Sequence, residues 1–206
     1  MNQSIKRDYT LLVDASGSMD IRDAYKGLSR WEEAREAVGT FAVKCAELDP
    51  DGLDLYFFAD GYKQHKNLTN VSKVSRLFNR RSPGGTTNLV DPLDAAIENY
   101  FRKRAKAAKR MEFYAETILI IGDGRPNSVH GVEDVIVQAT KRLDNGEELA
   151  LNFIQVGQDS GATRFLKSLD DDLESRGAKF DIVDTKTAAE IELIGVEKAL
   201  LDAIVD

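Results

Sequence analysis

The chain has 206 residues and a formal net charge of −7, with 42% hydrophobic and 31% charged residues. This size suits a single folded domain, which we predict to span residues 1–206 with a core from about 8 to 205. The composition excludes a disordered chain, and the negative charge argues against nucleic-acid binding because the protein as a whole repels phosphate.

Cysteine content and apolar run length bear on the cellular compartment. Cys45 is the sole cysteine, so no intramolecular disulfide can form, and zinc sites built from paired cysteines are excluded. The apolar run at residues 9–13 is too short for a signal peptide or a membrane span, and no later segment reaches the length of a span. We therefore expect a cytoplasmic protein without a membrane span.

Short apolar runs alternate with segments of helical period, which predicts a mostly parallel sheet covered by helices on both faces. The candidate strands are residues 9–13, 53–58, 62–66, 117–121, 149–156 and 180–183. Asp60-Gly61 is a tight-turn dipeptide, so the polar strand after it is predicted to pair antiparallel at the sheet edge. The predicted fold is a doubly wound, six-stranded α/β sheet with one antiparallel edge strand, Rossmann-like in layout.

The first helix has the clearest pattern. Its apolar residues recur at spacings of three and four from Trp31 to Leu48, and Ser29 with Glu32 forms a capping-box sequence before it. Further helices are predicted at about residues 70–78, 92–101, 132–143, 162–173 and 195–205.

Oxygen-bearing side chains follow two of the predicted strands and occupy one glycine-rich loop. Asp14, Ser16 and Ser18 follow the first strand, and Asp123 follows the strand at 117–121. The loop at 82–88 contains Gly84-Gly85-Thr86-Thr87. Because ligands of open α/β sheets bind at the carboxyl ends of the strands, we expect these groups to converge.

The donor set of this cluster is made of hard oxygen atoms. Asp14, Ser16, Ser18, Thr86 and Asp123 favour Mg²⁺, with Mn²⁺ or Ca²⁺ as alternatives. Two neighbouring carboxylates repel each other, so the site either raises a carboxyl pKa or recruits a cation. A divalent cation held by two carboxylates is neutral in charge count, and an open coordination position could accept an Asp or Glu from a protein partner.

The sequence at these positions resembles the von Willebrand factor type A (vWA) domain family and its metal-ion-dependent adhesion site. The family pattern Asp-x-Ser-x-Ser corresponds to Asp14, Ser16 and Ser18, followed by Thr86 and Asp123. The resemblance implies direct or water-mediated metal binding by these residues and a non-enzymatic, protein-binding role. More narrowly it is similar to standalone intracellular bacterial members. Gly122 stands where the family usually has Thr, and Thr87 is an alternative to Thr86.

Two other functions remain open at this point. One is a Mg²⁺-dependent phosphohydrolase with Asp14 as nucleophile, although such enzymes carry a second Asp where this chain has Ser16. The other is a scaffold whose metal is purely structural.

Several residues outside the cluster are candidates for other roles. Tyr25, Lys26 and Arg125 are candidates for setting partner specificity. The segment 102–110 carries six basic residues, which we interpret as the solvated end of a helix, with docking of an acidic partner as the alternative. His65 and His130 are interpreted as solvated loop histidines.

Overall fold

The computed structural model describes residues 7–205, with side chains described as far as Leu200. The strands are β1 (Arg7–Asp14), β2 (Leu53–Phe58), β3 (Tyr62–Leu68), β4 (Ala115–Gly122), β5 (Leu149–Gln155) and β6 (Val183–Thr187). The helices are α1 (Arg30–Leu48), α2 (Val71–Phe78), α3 (Val90–Ala108), α4 (Val129–Lys141), α5 (Ser160–Asp172), α6 (Ala188–Ile194) and α7 (Val196–Val205). Residues 1–6 and 206 of the predicted domain lie outside the described part.

The strands form one sheet in the order β3-β2-β1-β4-β5-β6. Neighbouring strands are parallel except β3, which runs antiparallel to β2. Every residue of β2, β4 and β5 is buried, as expected for strands covered on both faces. The predicted doubly wound sheet with one antiparallel edge strand is confirmed.

Two apolar layers hold the helices on the sheet, and neighbouring residues of β1 point into different layers. Leu11 packs in the layer that includes Phe41 of α1, and Leu12 packs in the layer that includes Tyr100 of α3. All four side chains are fully buried. Each large apolar side chain buried in this way stabilises the fold by about 1.5–3 kcal/mol. Within residues 7–205, no helix combines the length and apolarity that a membrane span requires.

The start of α1 follows the predicted capping box. The Ser29 hydroxyl accepts a hydrogen bond from the Glu32 backbone N–H at 3.2 Å, and the Glu32 carboxylate accepts one from the Ser29 N–H at 2.7 Å. These bonds satisfy amide groups that the first helical turn leaves unpaired. The helix therefore begins at Arg30, beside the carboxyl edge of the sheet.

The last strand lies later in the chain than the sequence predicts. The prediction was 180–183, whereas β6 covers Val183–Thr187 and pairs with β5 from Leu151 onward. Its Asp184 and Lys186 side chains form an ion pair at 2.6 Å. An edge strand with such polar residues lacks the apolar run on which the prediction relied.

The amino-terminal edge of the sheet contains a buried polar cluster around Glu116. The Thr10 hydroxyl donates to Glu116 at 2.6 Å, and the Tyr114 hydroxyl donates to it at 3.1 Å. Burial raises the pKa of Glu116 to about 7. Lys103 pairs with Asp8 at 3.2 Å in the same region.

The basic segment 102–110 is therefore partly internal. Arg104 pairs with Glu148 at 3.0 Å, in addition to the Lys103 pair, whereas Lys106, Lys109 and Arg110 are exposed. The interpretation of this segment as a solvated helix end applies to its last residues and not to Lys103 or Arg104.

Candidate metal centre

Three loops meet at the carboxyl edge of the sheet and are joined by backbone hydrogen bonds. The Gly84 N–H donates to the Ala15 carbonyl at 2.9 Å, and the Gly17 N–H donates to the Gly85 carbonyl at 3.0 Å. The Asn127 N–H donates to the Thr87 carbonyl at 2.9 Å. The loops after β1 and β4 are thus each tied to the glycine-rich loop, as the sequence predicts.

Asp14 lies at the centre of this arrangement and is 1% exposed. One of its oxygens accepts the Ser16 N–H at 2.7 Å, and the Ser16 and Ser18 hydroxyl oxygens are 3.0 Å apart. Burial raises the pKa of Asp14 to about 7, against the opposing effect of the Ser16 hydrogen bonds. Because none of the ion pairs of the described residues includes Asp14, a bound cation would stabilise its charged form.

Asp123 has a different environment, since it pairs with Arg30 of α1. The Arg30 Nη1 donates to Asp123 Oδ2 at 2.8 Å, and both side chains are 7% exposed. Sequence reasoning predicted Asp123 at this edge but missed Arg30.

Arg30 also binds Asp23 on the loop between β1 and α1. Its Nε and Nη2 donate to the two Asp23 oxygens at 2.8 and 2.6 Å, a bidentate pair. These hydrogen bonds hold the pKa of Asp23 below its usual range and raise that of Arg30. The guanidinium therefore bridges a rim carboxylate and a buried one.

The two threonines of the glycine-rich loop occupy different positions. Thr86 is exposed, and its N–H donates to the Asp60 carboxylate at 2.8 Å. Thr87 is half-buried and lines a small cavity together with Asp14 and Arg125. Thr86 is the predicted metal ligand, and Thr87 is the alternative. Variants at the two positions would show which threonine binds the ion. Asp60 was not predicted to take part in holding this loop.

The lack of a side chain at Gly122 leaves the space that the Asp14 side chain occupies. A β-carbon built on Gly122 would lie 2.7 Å from the Asp14 Cβ and 3.1 Å from its Oδ2. The parallel register of Val13 with Ile121 sets the two residues side by side. The departure from the family's usual Thr therefore has a steric reason in this chain.

The donor set fits a divalent cation that accepts hydroxyl ligands. No group of three or more His, Cys, Asp or Glu side chains in residues 7–205 is arranged to hold a metal ion. The two carboxylates, Asp14 and Asp123, would need the hydroxyl groups of Ser16, Ser18 and a threonine to complete a set of oxygen ligands.

The other predicted rim residues divide between two locations. Arg125 is exposed beside the Asp14 cavity. Tyr25 and Lys26 instead line a groove against α1 and α6, and Lys26 pairs with Glu192 at 3.4 Å. The His130 side chain is 89% exposed, with Nδ1 2.9 Å from Glu133.

An open, doubly wound α/β sheet with oxygen donors at its carboxyl edge defines a class of domains that bind ligands at that edge. The profile of the von Willebrand factor type A domain family matches residues 8–184. The chain belongs to this family. A comparison with curated proteins finds no sequence match.

Solved structures with the same fold include two bacterial pilus proteins and a Plasmodium protein. A variant of the PilB minor pilin from Streptococcus sanguinis matches 98% of this chain with 14% identity and a TM-score of 0.65. The pilus adhesin SpaC from Lactobacillus rhamnosus GG matches 98% of it with 16% identity and a TM-score of 0.58. Manganese-loaded Plasmodium vivax TRAP protein matches 91% with 20% identity and a TM-score of 0.54.

The present chain spans 62% of the pilin, 31% of the adhesin and 71% of the TRAP chain. At these identities the likeness concerns the fold.

Proposed function

We propose that this chain is a metal-dependent protein-interaction domain. In this proposal a divalent cation binds at the carboxyl edge of the sheet, and a partner protein supplies an Asp or Glu side chain to the ion. The predicted ligands are Asp14, Ser16, Ser18, Thr86 and Asp123. The proposal includes a non-enzymatic role and a cytoplasmic location, as in the standalone intracellular bacterial members that the sequence resembles.

The observation that carries the proposal is the environment of Asp14. Its carboxyl group is buried and receives a hydrogen bond from Ser16, whose hydroxyl oxygen is 3.0 Å from that of Ser18, but it has no ion pair among the described residues. Burying an unpaired carboxylate is costly, and a cation bound next to it would remove that cost. When bound, the ion would supply a positive charge with coordination positions open to an external oxygen ligand.

Arg30 supports the choice of an acidic ligand. Two positive charges of the ion and one of Arg30, set against Asp14 and Asp123, leave a net charge of about +1. Asp23 offsets part of this charge through its pair with Arg30, but its side chain is 32% exposed at the rim, so solvent screening reduces its effect on the buried ion. A partner carboxylate would therefore meet a positive site inside a protein whose net charge is −7.

Mg²⁺ is the proposed ion, with Mn²⁺ and Ca²⁺ as alternatives. The manganese-loaded state in which the TRAP protein was solved makes Mn²⁺ a suitable paramagnetic probe for this chain.

The phosphohydrolase alternative needs a further group to assist transfer from Asp14. Arg30, whose charge acts on Asp14, already uses its guanidinium on Asp23 and Asp123. Turnover of p-nitrophenyl phosphate that disappears in Asp14→Asn would support the enzyme instead.

Water proton relaxation of the Mn²⁺-loaded protein tests the proposed function. Waters at the open positions should enhance relaxation, and acetate, as a carboxylate probe, should reduce the enhancement. Ser16→Ala should lose the effect, whereas Ser72→Ala, which removes an exposed hydroxyl on α2, should retain it. An enhancement that acetate leaves unchanged would contradict carboxylate capture.

A further inference from the structure

One stretch of the chain has a charge opposite to that of the protein. Residues 61–90 contain six Lys or Arg residues and no Asp or Glu. With these six positive charges taken from the total of −7, the rest of the chain carries −13. The cations are Lys63, Lys66, Lys73, Arg76, Arg80 and Arg81.

Three of these six cations line a groove between the edge strand β3 and helix α2. The groove has a volume of about 260 Å³. The groove, here called the β3–α2 groove, is lined by His65, Leu68, Lys73, Arg76, Leu77 and Arg80. Lys73, Arg76 and Arg80 are exposed. Lys73 and Arg76 are three residues apart and share one face of α2, and Arg80 follows two residues after the helix ends.

On the strand side, Lys63 adds one positive charge next to the groove. Lys63 and His65 are two residues apart, so both point to the same face of β3, opposite Phe57 and Leu55 in the register. Burial lowers the pKa of His65, and the charges of Lys63 and Arg81 lower it further. The Arg81 guanidinium lies 5.4 Å from the centre of the Phe57 ring, and its buried Nε has no hydrogen-bond partner.

The contacts that these cations make inside the fold leave their charges unneutralised: Arg76 Nε donates to the Ser72 carbonyl at 3.2 Å, and Arg81 lies over the Phe57 ring. Across residues 7–205, none of the ion pairs includes any of the six. By contrast, Lys103 and Arg104 in the other basic segment pair with acidic residues. The charges of the β3–α2 groove are therefore available to an external anion.

Lysines and a register shift also keep edge strands from pairing with other chains, and β3 has both. That protection requires charge on the strand itself. It does not account for Lys73 and Arg76 on α2, for Arg80 just after it, or for the apolar floor that Leu68 and Leu77 provide.

We propose that the β3–α2 groove binds an acidic, extended segment of a partner protein. From Lys73 to the end of α2 at Phe78 the helix rises about 8 Å, and Arg80 follows two residues later, so an extended chain of about three or four residues covers this row of cations. Such a segment could place alternate carboxylates on the cations and apolar side chains on Leu68 and Leu77. A long polyanion such as RNA fits less well, because the rest of the chain carries −13.

This binding needs no metal ion, so it is independent of the proposed function. The probe is a fluorescein-labelled peptide of about eight residues that alternates Glu and Val, with a Gln-Val peptide as its control. Fluorescence anisotropy is measured in the presence of EDTA, which removes the contribution of the metal site. The Glu peptide should bind and the Gln peptide should not.

Matched variants locate the binding. Lys73→Gln, Arg76→Gln and Arg80→Gln combined should weaken binding by about tenfold or more, since each exposed charge pair contributes a fraction of that factor. Lys106→Gln, Lys109→Gln and Arg110→Gln combined remove the same charge from exposed positions at the end of α3 and should change it less than about threefold. Amide chemical shifts should move in residues 62–68 and 71–81.

Three results would overturn the proposal. The first is no binding of the Glu peptide at concentrations up to about 1 mM. The second is equal weakening by the two triple variants, which would mean nonspecific attraction. The third is tighter binding of an oligothymidylate or of phosphatidylserine vesicles than of the peptide, which would assign the groove to another class of ligand.

Discussion

Arg30 and Asp123 form a buried ion pair at the carboxyl edge of the sheet, with 2.8 Å between Nη1 and Oδ2. One of the two carboxylates expected to bind a cation is thus already neutralised by the protein, while Asp14 is not. The pair gives the two carboxylates different roles: Asp14 carries the unbalanced negative charge, and Asp123 positions Arg30 beside it. A metal ion at this site would bind next to a fixed guanidinium.

Removing Arg30 should destabilise the metal-free protein. Arg30→Gln leaves the buried Asp123 carboxylate without its partner, which costs about 3 kcal/mol and lowers Tm by about 6–12 °C for a chain of this size. Thermal unfolding followed by circular dichroism measures the change. Arg35→Gln, an exposed position on the same helix, should shift Tm by less than about 2 °C. Equal shifts in the two variants would mean that the ion pair contributes little.

The same substitution should strengthen metal binding. With Arg30 replaced by Gln, the site gains a net negative charge, so its affinity for Mn²⁺ should rise about tenfold. Calorimetric titration of chelator-stripped protein measures the affinity. Arg30→Lys keeps the positive charge and should stay close to wild type. A weaker Mn²⁺ affinity in Arg30→Gln would show that the positioning of Asp123 by Arg30 matters more than the repulsion between the guanidinium and the ion.

Gly122 should tolerate no side chain. In Gly122→Ala the new β-carbon would contact Asp14 at 2.7 Å, so Asp14 has to move, which costs about 1–3 kcal/mol. We expect weaker Mn²⁺ binding together with a lower free energy of unfolding, measured by titration and by urea denaturation. Gly84→Ala, in the neighbouring loop and with open space around it, should change neither. Unaltered metal affinity in Gly122→Ala would contradict the steric account of this position.

Stability should depend on pH through Glu116. Its pKa is raised from 4.5 to about 7 by burial, so the folded state binds more protons than the unfolded state between these values. Stability therefore falls as pH rises through this window, by up to about 3 kcal/mol for this residue. Glu116→Gln should flatten the dependence measured by urea denaturation from pH 4.5 to 7. Asp14 titrates in both proteins, so the difference between them isolates Glu116. Parallel pH profiles would exclude this role.

The sheet and the position of the polar loops follow from the sequence because buried parallel strands are apolar along their whole length. Asp14 is the last residue of β1, Ser16 and Ser18 follow it, and the parallel arrangement brings Asp123 after β4 to the same edge. The polar strand β6 was placed too early, because edge strands are not marked by an apolar run.

The sequence did not predict a role for Arg30 in the site, because a charged residue at the start of an amphipathic helix is expected to lie on its solvent-exposed polar face. One signal was present: a cation in the first turn opposes the helix dipole, so such a residue needs another stabilising partner. The partners, Asp23 and Asp123, are 7 and 93 positions away, and only the fold brings both to the guanidinium. The Asp60 contact with the Thr86 backbone likewise depends on the packing of two loops.

Binding of a divalent cation next to Asp14 is the central claim, and calorimetric titration of Mg²⁺ and Mn²⁺ into chelator-stripped protein tests it most directly. The account predicts one site in the wild type, a loss of affinity of more than about 100-fold in Asp14→Asn, and no change in Asp94→Asn, which removes an exposed charge. Absence of binding by both the wild type and Arg30→Gln, or equal binding by Asp14→Asn and the wild type, would contradict it.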